Sequence, residues 1–322
     1  MTRFLWITDP WETLDHPRDT TLRLIEESVI QGHENFWCDV KTIRWADGAV
    51  TLDARLVETV YPGRAEASFR LGPAKTLSPR DLQSIQYRVD PPVDLAYLQP
   101  LQLLELACSV KDSKTRIENP PRLLALGNEK LEAYSLTGLH PESVVSSQWQ
   151  TLAAFGKKQK QTVLKPLHQA QSIGVELLDW TTPPSTEAAR ARIIEATEGY
   201  FRPVVLQQYL EAINQGETRL WFLDGKLLAH ARKVPRAGEF RIDMDQGATL
   251  GRCELTPAEK KASLKIGKHL VNRKIRMAAV DLIDGLITDF NFTSPGLIVQ
   301  MEALLGKNLA GTIIARLCKK AP

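Results

Sequence analysis

Short apolar segments and helical repeats alternate through the first hundred residues of the chain. Residues 4–8 form an apolar run typical of a buried strand, and Leu22, Ile25 and Val29 then recur at the spacing of one helix face. Gly32 follows this repeat at the position where a helix commonly ends. The pattern predicts a strand followed by a helix, as in an open α/β sheet.

The same alternation continues to about residue 107. A second strand is predicted at 36–40, and Asp47-Gly48 has the residue types of a tight hairpin turn between two further strands. Residues 61–80 contain several prolines and glycines without a sustained period, which predicts a surface excursion. A strand at 84–88 leads through consecutive prolines into a helix predicted at 94–107, and the intervening polar loop lies where α/β folds bind ligands.

Beyond Asn119-Pro120-Pro121 the elements become shorter and strand-rich. Strands are predicted at 162–167, 204–209 and 219–223. Pro183-Pro184 is predicted to mark an exposed connection, and Asp224-Gly225 to turn a hairpin. A helix is predicted to begin at Thr256-Pro257, because Thr is a good N-cap and Pro suits the first helical position.

Composition sets limits on function. The 322 residues are 43% hydrophobic, enough for two or three lobes, and the formal charge of +3 gives no general attraction to nucleic acid or an anionic membrane. No stretch approaches about 18 unbroken apolar residues, so a soluble protein is expected. The 4 cysteines are widely separated, which favours a reducing cytoplasm over a disulfide framework.

The segment 279–291 is the most informative for chemistry. It contains two apolar strands around a turn, with acids at intervals. If 284–286 form a three-residue loop, Asp281 lies opposite Asp289, and Asn291 shares their face; a two-residue loop would separate the two acids. Carboxylate and amide oxygens on one face suit Mg²⁺. The alternative is that these acids are only solvated.

Five basic residues have settings that suit anion binding. Lys165 lies inside an apolar strand, where its charge is costly unless it meets a phosphate or carboxylate, whereas Lys130 opens a helix and could simply be solvated. Arg88, Arg219 and Arg241 each lie near a strand end or loop, where a guanidinium can hold a carboxylate or phosphate. Structural salt bridges are the alternative for these arginines.

Several common nucleotide and hydrolase motifs are missing from the sequence. It contains no phosphate-binding loop of the P-loop type, no dinucleotide fingerprint and no nucleophile elbow. The 6 histidines are scattered and give little support for a histidine metal site.

Six short blocks, in order along the chain, resemble the bacterial glutathione synthetase family. They are Arg88-x-Asp90-Pro91-Pro92-x-Asp94, Asn128-Glu129-Lys130-Leu131, Leu164-Lys165-Pro166-Leu167, Gln207-x-Tyr209-Leu210, Asp224-Gly225 and Asn291-x-Thr293-Ser294-Pro295. Each block is weak alone, but six in family order are a specific signal. The resemblance covers nearly the whole chain.

The resemblance implies an ATP-grasp fold of the α/β class. It implies an N-terminal open α/β domain over 1–120, a central lid over 121–202, and a C-terminal antiparallel-sheet domain over 203–322, with ATP between the last two. It also implies a homo-oligomer, either a dimer or a tetramer. The implied partners are otherwise small molecules, an acid and an amine that are amino acids or short peptides.

The implied reaction is ATP-dependent ligation of a carboxylate to an amine through an acyl phosphate, with Mg²⁺ offsetting phosphate charge. By resemblance, Lys130 and Lys165 contact ATP phosphates or the adenine edge, and Asp281, Asp289 and Asn291 hold Mg²⁺. The connection that binds adenine is formed by Gln207, Gln208, Tyr209 and Leu210.

The remaining implied roles concern the substrates and the charge that develops during the reaction. Arg88 contacts the acid substrate, and Ser294 lies in the substrate-proximal turn. Arg219 faces the nucleotide, and Arg241 helps to neutralise the acyl phosphate and tetrahedral states.

Three departures from the family pattern bear on activity. The glycine-rich loop after the second lysine is replaced by residues 168–172, and the metal-binding Glu is replaced by Asp289. The elements over the site differ at 241–243 and 247–249, and Lys233 takes the place of an active-site Arg. We therefore weigh an active ligase with changed substrates, glutathione synthetase itself, and a nucleotide-binding homologue with little catalysis that acts as a regulator or scaffold.

Overall fold

The N-terminal part of the molecule is a mixed sheet flanked by helices. The computed structural model describes residues 1–61, 68–109, 114–170, 172–244 and 246–319. The strands of this sheet are β1 (Arg3–Thr8), β2 (Glu34–Asp39), β3 (Arg44–Ala46), β4 (Ala49–Tyr61), β5 (Ser68–Leu77), β6 (Ser84–Tyr87) and β7 (Arg116–Glu118). The helices are α1 (Thr20–Ile30) and α2 (Leu95–Cys108). Strand β1 pairs in parallel with β2 and β6, and β6 with β7, which confirms the predicted open α/β sheet.

Local signals explain the first elements. Every residue of β1 after Arg3 is buried, and the side chain of Asp19 accepts a hydrogen bond from the Leu22 amide at 2.8 Å, which caps α1. Gly32 adopts φ 76° just beyond the helix. The carboxyl ends of β1 and β6 lie side by side, and this edge contributes to the cavity described below.

The surface excursion predicted at 61–80 is wrong over most of its length. Ser68–Leu77 forms β5, which pairs antiparallel with β4 from Leu52↔Leu77 to Tyr61↔Ser68. Strand β5 is at the edge of the sheet, where Pro73 is tolerated because no second partner needs its missing N–H. The rest of the predicted excursion includes residues 62–67, which lie outside the described ranges.

Residues after β7 lead into a smaller four-stranded sheet. The short helices α3 (Pro121–Leu126) and α4 (Glu129–Glu132) precede β8 (Ser143–Ser146), α5 (Trp149–Gln159), β9 (Gln161–Pro166), β10 (Glu176–Asp179), α6 (Pro183–Ala196) and β11 (Val204–Gln208). The sheet order is β10-β9-β11-β8, and every pairing is antiparallel. We call this sheet with α5 and α6 the lid.

The exposed connection predicted at Pro183-Pro184 is also wrong. Both prolines are the first residues of α6, and the Thr182 side chain accepts a hydrogen bond from the Ser185 amide at 3.2 Å in a capping box. Proline is favoured in the first helical turn because its missing N–H has no partner there anyway. The sequence Thr182-Pro183-Pro184 therefore marks the start of a helix and not a loop.

The C-terminal sheet is antiparallel and carries most of the candidate chemistry. Its strands are β12 (Glu217–Leu223), β13 (Lys226–Val234), β14 (Thr249–Gly251), β15 (Met277–Ile283) and β16 (Leu286–Asn291), in the order β14-β13-β12-β15-β16. The helices are α7 (Pro257–Asn272), α8 (Ile298–Leu305) and α9 (Leu309–Leu317). The hairpin predicted at Asp224-Gly225 joins β12 to β13, and α7 begins at Pro257 behind a Thr256 cap.

The hydrophobic cores join the first and last sheets but leave the lid separate. One core contains Ile7 and Tyr87 together with Val280 and Phe290, and a second joins Trp6 to Trp221. The lid has its own small core around α5 and α6. Among the helices within the described ranges, none combines the length and apolar character needed to cross a bilayer.

Candidate active site

One cavity of about 920 Å³ lies where the three sheets meet. All of the residues predicted to act on ATP, metal or substrate line it. They are Arg88, Lys130, Lys165, Gln207, Gln208, Tyr209, Leu210, Arg219, Arg241, Asp281, Asp289, Asn291 and Ser294. The structure therefore brings together side chains that lie more than 200 residues apart in the sequence, while their individual roles stay predictions.

The hairpin of β15 and β16 forms one wall. Asp281 lies directly opposite Asp289, and Asn291 lies opposite Ala279. Of the two loops considered, the structure has the two-residue one, since Asp284 and Gly285 form a turn with φ 49° and 76°. The register shifts by one residue beyond Leu282↔Ile287, leaving Thr288 as a bulge. This bulge restores the predicted pairing of the two acids.

Asp281 is held by two cations. Arg219 donates from Nε to Oδ1 at 2.8 Å and from Nη2 to Oδ2 at 2.6 Å, and Lys233 Nζ donates to Oδ2 at 3.0 Å. Burial alone would raise the pKa of Asp281, but attraction to Arg219 and then Lys233 outweighs burial and holds that pKa below its usual range. The carboxylate is therefore ionised and already neutralised.

The side-chain oxygens of Asp289 and Asn291 accept fewer hydrogen bonds than those of Asp281. Asp289 Oδ1 is buried and has no hydrogen-bond partner among the described residues, and Asn291 uses its Nδ2 to donate to the Ala279 carbonyl at 3.2 Å. Within the described ranges, no cluster of three or more His, Cys, Asp or Glu side chains could hold a metal ion. These two residues suit Mg²⁺, which typically takes one or two protein oxygens and completes its shell with phosphates and water.

The two predicted lysines reach the cavity from different elements, Lys165 from the lid strand β9 and Lys130 from α4. Lys165 Nζ donates to Gln207 Oε1 and to the carbonyl of the bulged Thr288, both at 2.8 Å. Burial lowers the pKa of Lys165, against the attraction of Asp289. Lys130 Nζ donates to the Gln169 carbonyl in the loop that replaces the family's glycine-rich segment. The Lys165 ammonium thus contacts the acidic hairpin, whereas the Lys130 ammonium contacts the loop after β9.

Two partly buried acids at the site were not predicted as site residues. Glu129 Oε1 accepts hydrogen bonds from the amides of Phe292 and Thr293 at 2.6 and 2.8 Å, which holds the turn after β16 in place. Burial raises the pKa of Glu129. Glu217 lies two residues before Arg219 in β12, so the period of two in a strand could have placed it on the same face.

The opposite wall comes from the N-terminal sheet. Arg88 follows β6 and donates from Nε to Thr21 Oγ1 at 3.1 Å and from Nη2 to the Pro295 carbonyl at 3.0 Å. Its Nη1 is buried and has no hydrogen-bond partner among the described residues. Partial desolvation by the surrounding protein raises the pKa of Asp90 to about 6, against the attraction of Arg88 and a hydrogen bond with Ser294. This wall therefore offers a fixed guanidinium beside a carboxyl group.

Two loops form the rim. In the first loop, which includes residues 235–244, Phe240 contacts Tyr209 edge to face with ring centroids 6.5 Å apart, and Arg241 is exposed beside it. Ile242 and Met244 also line the cavity, as does Ile173 from the other loop. Of the residues that depart from the family pattern, Gln169, Ala170, Ser172 and residues 241–243 line the cavity, while Gln171 is outside the described ranges. Of the departure at 247–249, Gly247 and Ala248 are on the same loop and Thr249 is the first residue of β14.

Comparison with known proteins identifies the family. Residues 2–124 match the model of the prokaryotic glutathione synthetase N-terminal domain, and residues 129–306 match the model of its ATP-grasp domain. A glutathione synthetase of Prochlorococcus marinus (strain MIT 9313) is 30% identical over 318 residues, covering 98% of both chains. One from Synechococcus elongatus is 29% identical over 322 residues, again covering 98% of both.

Solved structures support the fold at lower identity. The ATP-grasp ligase PsnB, complexed with a minimal precursor, matches with a TM-score of 0.62 at 16% identity and covers 99% of both chains. D-cycloserine synthetase DcsG matches with a TM-score of 0.65 at 14% identity, covering 98% of this chain and 99% of its own. With both family models matched in sequence order and the fold shared, the chain belongs to the prokaryotic glutathione synthetase family of ATP-grasp ligases.

Proposed function

We propose that the protein uses Mg²⁺–ATP to convert a carboxylate to an acyl phosphate and then joins it to an amine. The observation that carries this proposal is the arrangement of charge across one cavity. Lys165, Arg219 and Asp289 line one wall and Arg88 the other. A nucleoside triphosphate bound against the first wall would place its terminal phosphate near an acid bound at the second wall.

The nucleotide is proposed to bind between the lid and the C-terminal sheet. The strand end and connection at 207–210 are proposed to bind adenine, and Lys130 and Lys165 to bind the phosphates. Mg²⁺ is proposed to bind through Asp289 and Asn291, since Asp289 Oδ1 is a buried acceptor without a donor. The metal would offset phosphate charge during transfer.

The acid substrate is proposed to bind at Arg88 and Ser294. Arg88 is already fixed by Thr21 and Pro295, so its remaining nitrogen can meet a carboxylate without reordering the side chain. Arg219 faces the transferring phosphoryl group, and Arg241 at the rim adds positive charge as the acyl phosphate forms. The amine then attacks the acyl carbon and releases phosphate.

The substrates proposed first are amino acids or short peptides, including γ-glutamylcysteine and glycine. The matched relatives are glutathione synthetases, which supports that pair, whereas the apolar rim at Ile242 and Met244 favours testing other amines. A cytoplasmic location and assembly into a dimer or tetramer stay predictions. So does the absence of nucleic-acid and membrane partners.

The test is ADP release by the purified protein with Mg²⁺–ATP, first with γ-glutamylcysteine plus glycine and then with a panel of acids and amines. We expect at least one pair to turn over. Turnover should be lost in Lys165→Met and kept in Lys157→Met, which removes an exposed lysine on α5. ATP binding without turnover for any pair would favour the regulator or scaffold role instead.

A further inference from the structure

Four charged side chains form a chain of ion pairs on one face of the C-terminal sheet. Glu217 and Arg219 alternate along β12 and so share a face. The strand registers place Lys233 opposite Glu217 and Asp281 opposite Arg219. Side-chain exposure is only 13% for Glu217, 12% for Arg219, 7% for Lys233 and 3% for Asp281. We call this group the charge quartet.

Within the charge quartet, Asp281 has little capacity left for a metal ion. Oδ1 accepts from Arg219 Nε at 2.8 Å, and Oδ2 accepts from both Arg219 Nη2 at 2.6 Å and Lys233 Nζ at 3.0 Å. Lys233 also pairs with Glu217. Only the second lone pair of Oδ1 is left, and a Mg²⁺ ion bound there would lie close to the Arg219 guanidinium, whose like charge opposes it.

Asp289 differs from Asp281 although the two face each other across the hairpin. Asp289 Oδ1 is buried without a donor among the described residues. No cation is within salt-bridge distance of Asp289 among the described ion pairs, whereas Asp281 has two. The two acids therefore have different tasks within one register pair.

We propose that Asp281 is a positioning residue that aims Arg219 and Lys233 at the transferring phosphoryl group, and that it is not a ligand of Mg²⁺. This inference rests on the proposed function. A carboxylate that fixes two cations in advance lets them stabilise developing charge without reorganising during the reaction. The Lys233 ammonium is compact and contacts Asp281 and Glu217 at the same time, and so it holds the side chains of the charge quartet in place.

The test measures Mn²⁺ binding in place of Mg²⁺ by electron paramagnetic resonance, with AMPPNP equimolar to the protein and a Mn²⁺ titration of AMPPNP alone as the reference. Asp281→Asn should keep the wild-type Mn²⁺ affinity to within about threefold, whereas Asp289→Asn should weaken it at least tenfold. Turnover should fall in both variants. In Asp281→Asn it should fall at least about tenfold although the Mn²⁺ affinity is unchanged. Equal loss of Mn²⁺ affinity in the two variants would overturn the proposal.

A charge-balanced variant protects the test against a folding failure. Asp281→Asn leaves a buried cation unpaired, so Asp281→Asn combined with Lys233→Met removes one charge of each sign. The double variant should also keep Mn²⁺ affinity to within about threefold of wild type, and a tenfold loss would overturn the proposal. AMPPNP binding to the wild type is measured first. If that binding is absent, the proposed function fails, and if it is present, the Mn²⁺ result tests Asp281 alone.

Discussion

At the scale of single residues, several charged side chains of the cavity already have partners within the protein before a ligand binds. Asp281 is matched by Arg219 and Lys233, and Glu129 is satisfied by backbone amides. Arg88 Nη1 and Asp289 Oδ1 are exceptions, since both are buried without a partner in the described part of the chain. Such groups are costly unless a ligand completes them, so they mark where an acid and a metal would bind.

Asp90 gives a pH-dependent prediction. Its carboxyl pKa rises from 3.8 to about 6 on folding, mainly because the surrounding protein partly desolvates it, so the native state binds this proton more tightly than the unfolded chain. Stability from this group is therefore present below pH 4 and lost as pH rises to 6. Asp90→Asn should leave the melting temperature unchanged near pH 4 and raise it at pH 7.

The gain at pH 7 should be about 1 kcal/mol, less than the full shift implies, because the side chain is open to solvent in the cavity. Thermal melts of both proteins at the two pH values measure this difference. An equal effect of the substitution at pH 4 and pH 7 would show that titration of Asp90 is not its cause.

At the scale of elements, the sequence signals were reliable where they were local. The Asp-Gly dipeptides at 47–48 and 224–225 both form hairpin turns with positive φ at both residues, as predicted. The failures involved tertiary context. Strand β5 is set by pairing with β4 and not by its own pattern, and the bulge at Thr288 could not be inferred from hairpin rules.

The candidate site was more predictable than the loops. Lys165 was recognisable because a lysine in an apolar strand needs a partner, and the resemblance supplied the residues without such a signal, such as 207–210. Glu217 and Glu129 were missed because an acid of unknown burial looks solvated in sequence. Their partners come from other strands or from residues more than 100 positions away.

The lid offers a prediction about element packing. Gly156 in α5 is buried against Trp180, and a Cβ atom there would lie 2.1 Å from the ring. Gly156→Ala should therefore force the ring to move and destabilise the lid by about 2 kcal/mol. The expected result is roughly 30-fold faster hydrogen exchange in β8–β11, with exchange in β12–β16 unchanged.

Ala154→Leu is the matched control, since Ala154 is exposed on the same helix and Leu is also a good helix former. Its lid exchange should stay within about twofold of wild type. Uniform acceleration over the whole molecule in Gly156→Ala would mean that the lid does not unfold as a separate unit.

At the scale of the whole molecule, the two larger sheets share cores while the lid has its own. The cavity lies between these parts, so Lys165 on the lid approaches a fixed wall formed by β12, β15 and β16. The predicted ATP-grasp fold and carbon–nitrogen ligase class are confirmed by family membership. The domain boundaries at 120 and 202 stay predictions, as do the substrates.

The central claim is that a carboxylate is activated by phosphoryl transfer in this cavity. In that reaction a carboxylate oxygen attacks the terminal phosphorus of ATP and later leaves with phosphate when the amine attacks the acyl carbon. The most direct measurement uses an acid substrate with ¹⁸O in its carboxylate and follows the label by mass spectrometry. The account predicts one ¹⁸O atom in phosphate for each amide formed; amide formation with unlabelled phosphate, or with label in AMP, would contradict it.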